Sequence, residues 1–226
     1  MKTTAVILAA GVGSRMGTLK QLINLDGKPV LAHTIKAFED HEEVDEIVLV
    51  APKNVEEAIL PYGFKKVKNV VKGGSHRQAS VWLGLMALSP YTSLVLIHDG
   101  ARPLVSHQNI SDVLDYVRRG LCAVLGVKSK DTVKITDENN IIKDTPLRDR
   151  AWLVQTPQGF PLHLIREAHQ QAIDKGFVGT DDATLVEHMG ISVYMVEGSY
   201  RNIKLTTPED VEVAESLLSV PSGIKC

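Results

Sequence analysis

The regular alternation of short apolar runs with amphipathic segments constrains the fold of this chain more than any other feature. Six runs have the near-continuous apolar character of strands buried on both faces. They read "TAVILAA", "EIVLVA", "VKNVV", "SLVLIHD", "CAVLGV" and "SVYMVEG". Because helical patterns lie between them, the sequence predicts βα units around a mostly parallel sheet, an α/β fold. A length of 226 residues suits one such domain, spanning 1–226.

Three of the intervening helices have a clear apolar face at helical spacing. The predicted core faces are Leu31, Ile35 and Phe38 in the first, Ala79, Leu83 and Met86 in the second, and Ile110, Val113, Leu114 and Val117 in the third. Ser106 is the predicted N-cap of the third helix and Gly120 its end. Thr207 followed by Pro208 predicts the start of a last helix.

One segment, "DTVKITDENNIIKDTPLRDRAWLVQTP", interrupts this rhythm. It has alternating strand-like runs around a polar turn at 137–140 and no helical pattern, so it predicts a protruding β-hairpin arm at about 131–152. A lone hairpin is marginally stable in water. The arm must therefore pack on the parent domain or on a partner subunit.

Composition excludes several classes of partner. With 25 cationic against 27 acidic residues and a net charge of −2, the chain has no general field that attracts nucleic acid or an anionic membrane. No apolar run is long enough to cross a membrane. The two cysteines, Cys122 and Cys226, form no disulfide framework and no metal motif. We expect a cytoplasmic protein whose anion sites are built locally.

The first strand leads into "LAAGVGSRMGTLKQ", a glycine turn that carries two cations. It lacks the third glycine of a dinucleotide fingerprint and the spacing of a Walker loop. Gly11 and Gly13 allow positive φ and let backbone N–H groups face an anion, which Arg15 and Lys20 would also attract. The alternative is an ordinary βα turn.

Two further loops fall at the carboxyl ends of strands, where open α/β sheets bind ligands. "KGGSHRQAS" is a second glycine turn before a helix, with Arg77 and Ser80 in its first turns. Its alternative is a helix capped by Ser75, with Arg77 in solvent.

The strand "LVLIHD" ends in His98 and Asp99, followed by Gly100 and Arg102. An acid at this position suits Mg²⁺ that bridges substrate phosphates, so Asp99 is a candidate metal ligand. The alternative is a structural Asp99–Arg102 ion pair. His98 is predicted to be a satisfied core histidine rather than a catalyst.

The sequence offers no H-E-x-x-H zinc motif and no G-x-S-x-G nucleophile. In "GTDDATLVEH", Thr180 and Asp181 are placed to cap a helix, or else to contact substrate hydroxyls. Lys204 lies in a short strand-like run and could be a solvated outward-facing side chain.

Taken in order, "LAAGVGSRM", "KQL", "GGSHRQASV", "HDGARP", "KDTVK", "TPQGFP", "GTDDATLVE" and "EGSYRNIKLTTPEDV" resemble the 2-C-methyl-D-erythritol 4-phosphate cytidylyltransferase family. The resemblance spans nearly the whole chain. The related ribitol-5-phosphate cytidylyltransferases tend to read "LAGG" and "HDSVRP", so "LAAG" and "HDGARP" favour the first family. The resemblance implies a three-layer Rossmann-like nucleotidyltransferase fold, Mg²⁺ as cofactor, and a homodimer joined through the arm.

It also implies roles by position. The predicted CTP-binding residues are Ala10, Gly11, Gly13, Arg15, Lys20, Gly74, Arg77, Ser80, Asp99 and Gly100. The predicted residues for the polyol phosphate substrate are Asp99, Arg102, Thr132, Arg148, Thr156, Thr180 and Lys204. Arg15, Lys20, Arg148 and Lys204 would be catalytic, and Thr132 and Arg148 would reach into the neighbouring subunit's site. The loop from Met16 to Lys20 is shorter than the family's, and Leu19 stands where proline is common.

The implied reaction is attack by the acceptor's phosphate on the α-phosphorus of CTP. Two rivals come from other classes. A nicotinamide-dependent oxidoreductase wants an acid after the second strand, but Ala51, Pro52 and Lys53 stand there. A nucleotide-binding protein without turnover would share the glycine loops, and a pyrophosphate-release assay separates it from an enzyme. Ribitol 5-phosphate is the alternative acceptor.

Overall fold

The computed structural model describes residues 1–11 and 19–220. Its strands are β1 (Lys2–Leu8), β2 (Asn24–Leu25), β3 (Lys28–Pro29), β4 (Glu46–Val50), β5 (Val67–Val71), β6 (Thr92–Asp99), β7 (Cys122–Lys128), β8 (Ile135–Thr136), β9 (Ile142–Asp144), β10 (Trp152–Pro161) and β11 (Val193–Glu197). Its α-helices are α1 (Val30–Glu39), α2 (Lys53–Ile59), α3 (Arg77–Met86), α4 (His107–Arg118), α5 (Leu162–Lys175), α6 (Asp182–His188) and α7 (Pro208–Ser219). Short 3₁₀ turns cover Lys20–Leu22, Leu60–Tyr62 and Arg148–Arg150.

Seven strands form one sheet in the order β11-β7-β10-β6-β1-β4-β5. The pairings of β1 with β4 and β6, of β4 with β5, and of β11 with β7 are parallel. Among the strands described for this seven-stranded sheet, only β10, which lies between β6 and β7, is antiparallel to its neighbours. The predicted α/β fold with a mostly parallel sheet is therefore confirmed, and all six predicted strands lie in this sheet.

Helices cover both faces of the sheet. Side chains that alternate along each strand belong to opposite cores, as the two-residue period of a strand requires. In β1, Ala5 and Ile7 pack with α1, α2 and α4, whereas Val6 packs with α3, α5 and α6. This two-sided burial explains the continuous apolar runs in the sequence.

The predicted faces of α1 and α4 are confirmed, since all seven of their named side chains are buried. The Ser106 hydroxyl accepts a hydrogen bond from the Asn109 N–H at 3.1 Å, and Gly120 ends the helix region with φ +79°. Thr207 and Asp210 form a reciprocal capping box at the start of α7.

The predicted face of α3 is wrong, because Leu83 and Met86 are 41% and 57% exposed. The helix instead turns Val81 and Gly84 toward the sheet. A Cβ on Gly84 would lie 2.6 Å from a methyl carbon of Val6, so the helix approaches the sheet more closely than any larger residue allows. The N-cap is His76, whose ring accepts from the Ala79 N–H, and not Ser75.

The hairpin prediction needs a correction at its second limb. β8 and β9 form a separate two-stranded sheet, and their residues are exposed. The run "AWLVQTP", expected to belong with the hairpin, enters the main sheet as the beginning of β10. The 3₁₀ turn at Arg148–Arg150 separates the two elements.

Two smaller predictions concern the cysteines and the membrane. Cys122 is a buried free thiol, and its burial raises the pKa of the thiol to about 11. Cys226 lies outside the described residues. None of the helices in the described ranges is long and apolar enough to cross a membrane.

Candidate active site

Two adjoining cavities open at the carboxyl ends of the parallel strands. The first, of about 370 Å³, lies between the turn after β1, the loop before α3 and the segment 204–206. The second, of about 510 Å³, lies between the ends of β6 and β10 and the start of α6. Arg77, Asp99 and Lys204 line both cavities, so these three side chains form the wall that the cavities share.

Asp99 is the centre of this shared wall. Its carboxylate is 12% exposed and lies 2.8 Å from Lys204 Nζ. Arg77 Nε lies 3.6 Å from Asp99 Oδ1, and Arg102 Nε lies 3.7 Å from Asp99 Oδ2. The Asp99–Arg102 ion pair considered from the sequence is thus present, within a larger cluster of one acid and three cations.

The cluster determines the charge of Asp99. Burial opposes ionisation, but the charges of Lys204 and then Arg77, with a hydrogen bond from Lys204, hold the pKa of Asp99 well below its ordinary value. The carboxylate is therefore ionised at neutral pH. The wall keeps a net positive charge that suits phosphate groups on either side.

His98, as predicted, is a satisfied core histidine. Its Nε2 lies 3.2 Å from the carbonyl of Arg102, and its Nδ1 lies 3.0 Å from the Thr156 hydroxyl. The Asp99 N–H donates to the same hydroxyl at 3.1 Å. Burial lowers the pKa of His98 to about 4, so the ring is neutral. These hydrogen bonds fix the end of β6, and through them the Thr156 hydroxyl holds the backbone of Asp99 in place.

The second glycine turn packs directly against the first. A Cβ on Gly73 would lie 2.2 Å from the Cβ of Ala10, so only glycine permits this approach. The Gly74 N–H donates to the Ser80 hydroxyl at 3.0 Å, and that hydroxyl donates to the carbonyl of His76. Ser80 therefore ties the turn to the start of α3.

Lys20, in the first 3₁₀ turn, also lines the first cavity. Its Nζ donates to the carbonyl of Thr206 at 3.1 Å. The neighbouring Gln21 side chain donates to the carbonyl of Gly11 at 2.9 Å. The 3₁₀ turn is thereby anchored both to the first glycine turn and to the segment that carries Lys204.

Lys204 lies in a loop and not in the strand that the sequence suggested. The Leu205 N–H donates to the carbonyl of Ala101. Upstream, the buried Asn202 side chain donates to the carbonyl of Thr156, and the Asn202 carbonyl accepts from Arg102. These bonds fix the loop so that the partly exposed Lys204 side chain reaches Asp99.

Arg77 is held by a second acid. Its Nη1 lies 2.8 Å from Asp182 Oδ2, and Asp182 is 1% exposed. Although burial opposes its charge, the acids Asp182 and then Asp99 raise the pKa of Arg77 above its ordinary value. Arg77 is not the solvated side chain of the alternative reading.

Most predicted site residues lie at these cavities. Ala10, Gly11, Lys20, Gly74, Arg77, Ser80, Asp99 and Lys204 line the first, and Arg102, Thr156 and Thr180 line the second together with Arg77, Asp99 and Lys204. Asp181 also serves as the N-cap of α6, accepting from the Thr184 N–H at 2.9 Å. Gly13 and Arg15 lie outside the described residues.

Three predicted residues do not line either cavity as described. Gly100 is buried behind the wall, because its N–H donates to the Leu8 carbonyl and its carbonyl accepts from Thr34. Its backbone groups are thus already used. Thr132 and Arg148 are exposed beside the hairpin.

Direct metal ligation by Asp99 does not fit this geometry. One carboxylate oxygen contacts Lys204 and the other faces Arg77. Within residues 1–11 and 19–220, no three His, Cys, Asp or Glu side chains are grouped as a metal site would need. A divalent ion here would take its ligands chiefly from substrate phosphates, as Mg²⁺ commonly does.

The sequence reasoning missed the supporting residues Gly73, His169, Asp182 and Asn202. Gly73 stands beside Gly74 in "KGGSHRQAS", and Asp182 stands beside Asp181 in "GTDDATLVEH", but the predictions named only Gly74 and Asp181 of these pairs. His169 lies in mid-helix, and no local pattern distinguishes it from a surface histidine.

The chain matches the family model described as 2-C-methyl-D-erythritol 4-phosphate cytidylyltransferase over residues 3–220. A curated relative of that name from Desulforamulus reducens is 49% identical over 221 residues, which cover 95% of this chain and 94% of the relative. One from Caldanaerobacter subterraneus is 45% identical and covers 96% and 99%. The crystal structure of 4-diphosphocytidyl-2C-methyl-D-erythritol synthase from Anaerococcus prevotii superimposes with a TM-score of 0.87 at 36% identity, covering 97% of this chain and 96% of that one.

Proposed function

The chain belongs to the 2-C-methyl-D-erythritol 4-phosphate cytidylyltransferase family, and we propose that the two cavities around Asp99 form its active site. The enzyme transfers the cytidylyl group of CTP to the phosphate of 2-C-methyl-D-erythritol 4-phosphate. The products are 4-diphosphocytidyl-2-C-methyl-D-erythritol and pyrophosphate. The main prediction from the sequence is confirmed over the oxidoreductase and non-catalytic readings.

The observation that carries the site assignment is the wall of Arg77, Asp99 and Lys204 between the cavities. We assign CTP to the first cavity, because two glycine turns and Lys20 surround it. The acceptor then occupies the second, where Arg102 and Lys204 can meet its phosphate and Thr180 its hydroxyls. With this arrangement the acceptor phosphate and the α-phosphorus of CTP meet at the wall.

No protein nucleophile or base is needed for this reaction. A phosphomonoester has a second pKa of about 6 and is largely dianionic at pH 7. One of its oxygens forms a bond to the α-phosphorus while the bond from that phosphorus to the bridging oxygen breaks. Pyrophosphate leaves with the electron pair. The protein contributes positioning and positive charge, which are the main catalytic effects in phosphoryl transfer.

The cations divide between the two substrates. Lys20 and Arg15 would neutralise the triphosphate as negative charge moves toward pyrophosphate. Lys204, now paired with Asp99, would exchange part of this contact for an oxygen of the acceptor phosphate. Arg77 and Asp99 would hold the two substrates in register.

We keep Mg²⁺ as a proposed cofactor. When bound, it would supply positive charge to the triphosphate oxygens. The support is chemical, because a polyphosphate offers the oxygen ligands that Mg²⁺ prefers. Asp99 is not assigned to ligation, since its oxygens contact cations.

We also propose a homodimer joined through the hairpin. The hairpin and the turn after it expose three large apolar side chains. The exposed fractions are 48% for Ile135, 56% for Ile142 and 68% for Leu147. Because a lone hairpin is marginally stable in water, apolar side chains exposed together on it mark an interaction surface. Arg148 and Thr132, exposed at the same place, would reach the acceptor phosphate in the partner's second cavity. A cytoplasmic location remains a proposal that rests on the unpaired Cys122 and on the phosphorylated substrates.

A pyrophosphate-release assay with CTP tests the assignment. We expect turnover with 2-C-methyl-D-erythritol 4-phosphate and at least a hundredfold less with ribitol 5-phosphate at equal concentration, since a site with polar groups placed for one polyol leaves them unpaired with another. Equal turnover with both acceptors would overturn the assigned acceptor. Crystals soaked with CTP must show the nucleotide between the two glycine turns, and any other position would overturn the assigned cavities.

A further inference from the structure

A buried histidine stands behind Arg77. His169 in α5 has no exposed surface, and its Nε2 lies 3.1 Å from Asp182 Oδ1. The other oxygen of Asp182 lies 2.8 Å from Arg77 Nη1. The three side chains thus run from α5 through α6 to α3 and end at the wall between the cavities.

The direction of the hydrogen bond follows from the acceptor. The pKa of Asp182 lies below its ordinary value, because the charge of Arg77 and the hydrogen bond from His169 outweigh burial, so the carboxylate is ionised. An ionised carboxylate can only accept, and Nε2 must therefore carry the proton. Nδ1 has no hydrogen-bond partner within the described ranges.

The other contacts of these groups leave little freedom. The ring of Trp82 is stacked near that of His169, with centroids 6.1 Å apart and planes 19° apart. The backbone N–H groups of Asp182 and Ala183 both donate to Gln158 Oε1, which fixes the start of α6 to β10. The orientation of the Asp182 carboxylate is then set by its two partners, His169 and Arg77.

We propose that His169 is a positioning residue for Arg77 and acts through Asp182. Its hydrogen bond turns the second carboxylate oxygen toward the guanidinium and so fixes where Arg77 meets the phosphates of CTP. Arg77 is pulled by Asp182 on one side and by Asp99 on the other, and loss of the first restraint lets it move toward Asp99. This inference rests on the proposed role of Arg77 in CTP binding.

The test compares two variants of nearly equal shape. His169→Gln keeps an N–H donor at the ε position, whereas His169→Met has a similar volume and no donor. We expect Kd and KM for CTP to rise about tenfold in His169→Met, the effect of one hydrogen bond to a charged group, with kcat changed less than threefold. His169→Gln should restore most of the affinity. Equal affinities in the Gln and Met variants would overturn the proposal.

The matched control is His188→Met. His188 is exposed on α6 and stacks on Phe177, and it makes none of the contacts that link His169, Asp182 and Arg77. This variant must leave CTP binding unchanged. If Met at position 169 prevents folding, Asp182→Asn serves as the second variant and must weaken CTP binding at least as much; unchanged binding there would overturn the inference.

A double variant separates this inference from the proposed function. In an Arg77→Gln background, His169→Met should change Kd for CTP by less than twofold, because the group that it positions is gone. Unchanged CTP binding in Arg77→Gln alone would refute the role of Arg77. Weaker binding in Arg77→Gln with full binding in His169→Met would refute only the role of His169.

Discussion

Lys204, on the loop before α7, places its Nζ 2.8 Å from Oδ2 of Asp99, the acid at the end of β6. The same carboxylate faces Arg77 and Arg102. Three cations that would otherwise repel one another converge on this one buried charge, and Asp182 holds Arg77 as well. Asp99 thus helps to set where the positive groups stand before either substrate arrives, and it does so most directly for Lys204.

Replacing Asp99 by Asn should therefore lower kcat by about two orders of magnitude, the effect of losing preorganised charge stabilisation. The KM for the acceptor should not rise, because the site becomes more positive. Steady-state kinetics measures both quantities. The control is Asp115→Asn, which removes the acid of an exposed i,i+3 pair with Arg118 and should leave kcat unchanged. A wild-type kcat in Asp99→Asn would contradict the assigned site.

Gly73→Ala should weaken CTP binding as well as stability. Its Cβ would lie 2.2 Å from Ala10 Cβ, so the two glycine turns must separate. We expect a loss of about 1–3 kcal/mol in the free energy of unfolding, as in other overpacked sites, and a several-fold higher KM for CTP. Gly84→Ala is the control: its Cβ clashes with Val6 in the core, so it should lower stability without changing this KM. The same KM in both variants would argue against the assigned CTP cavity.

How much of this architecture follows from the sequence depends on how each element meets its neighbours. The faces of α1 and α4 follow from apolar spacing, because these helices pack through large side chains. The face of α3 does not, because its closest contact uses Gly84, which periodicity counts as neutral. Close packing through a missing side chain leaves no apolar signal.

β10 shows a second limit. Gln155 and Gln158 are buried within it, and their amides bond Ser199 and Asp181. A strand whose buried positions are hydrogen-bonded polar residues looks like a loop in a hydrophobicity pattern. The residues that line the two cavities have a clearer signal in the sequence than this strand, since glycine turns and charged residues at strand ends are local features. Partners such as Asp182 and His169 become visible only when distant helices are brought together.

The neutral state of His98 predicts a pH dependence of stability. Its folded pKa of about 4 is below the ordinary value of 6.5, so between these values the unfolded chain binds a proton that the folded chain does not. Stability must fall as pH falls through this window, by up to roughly 1.4 kcal/mol per pH unit for one proton. The free energy of unfolding of His98→Asn, measured by urea unfolding at several pH values, should change less steeply with pH, by about that amount per pH unit. The same dependence of stability on pH in His98→Asn and in the wild type would contradict this account.

Removal of divalent cations tests the proposed cofactor. Excess EDTA should abolish pyrophosphate release, and added Mg²⁺ should restore it. If the ion is held chiefly by the triphosphate, the Mg²⁺ concentration for half-maximal rate should follow the CTP concentration. The residual activity of Asp99→Asn should need the same Mg²⁺ concentration for half-maximal rate as the wild type. Full activity in EDTA would refute the cofactor, and a large increase in the Mg²⁺ requirement of Asp99→Asn would restore Asp99 as a ligand.

The exposed hairpin predicts activity shared between subunits. Arg148 is exposed and does not line the cavities described for its own chain, whereas Lys204 lines both. Arg148→Ala and Lys204→Ala homodimers should each lose most of their kcat. In a heterodimer, one site receives both defects and the other receives neither. Mixed subunits should therefore recover up to about a quarter of wild-type activity per total chain, because half of the dimers are mixed and each has one intact site.

Subunit exchange must be confirmed separately, by mass spectrometry of differently tagged chains. If exchange is complete and no activity returns, Arg148 acts within its own subunit or not at all. Gel filtration of Ile142→Asp provides the matching physical test. A charge on this exposed apolar position should weaken the dimer if the hairpin forms the interface, and it should leave a dimer joined elsewhere intact. A monomeric Ile142→Asp protein that keeps full activity would show that the hairpin forms the dimer without completing the site.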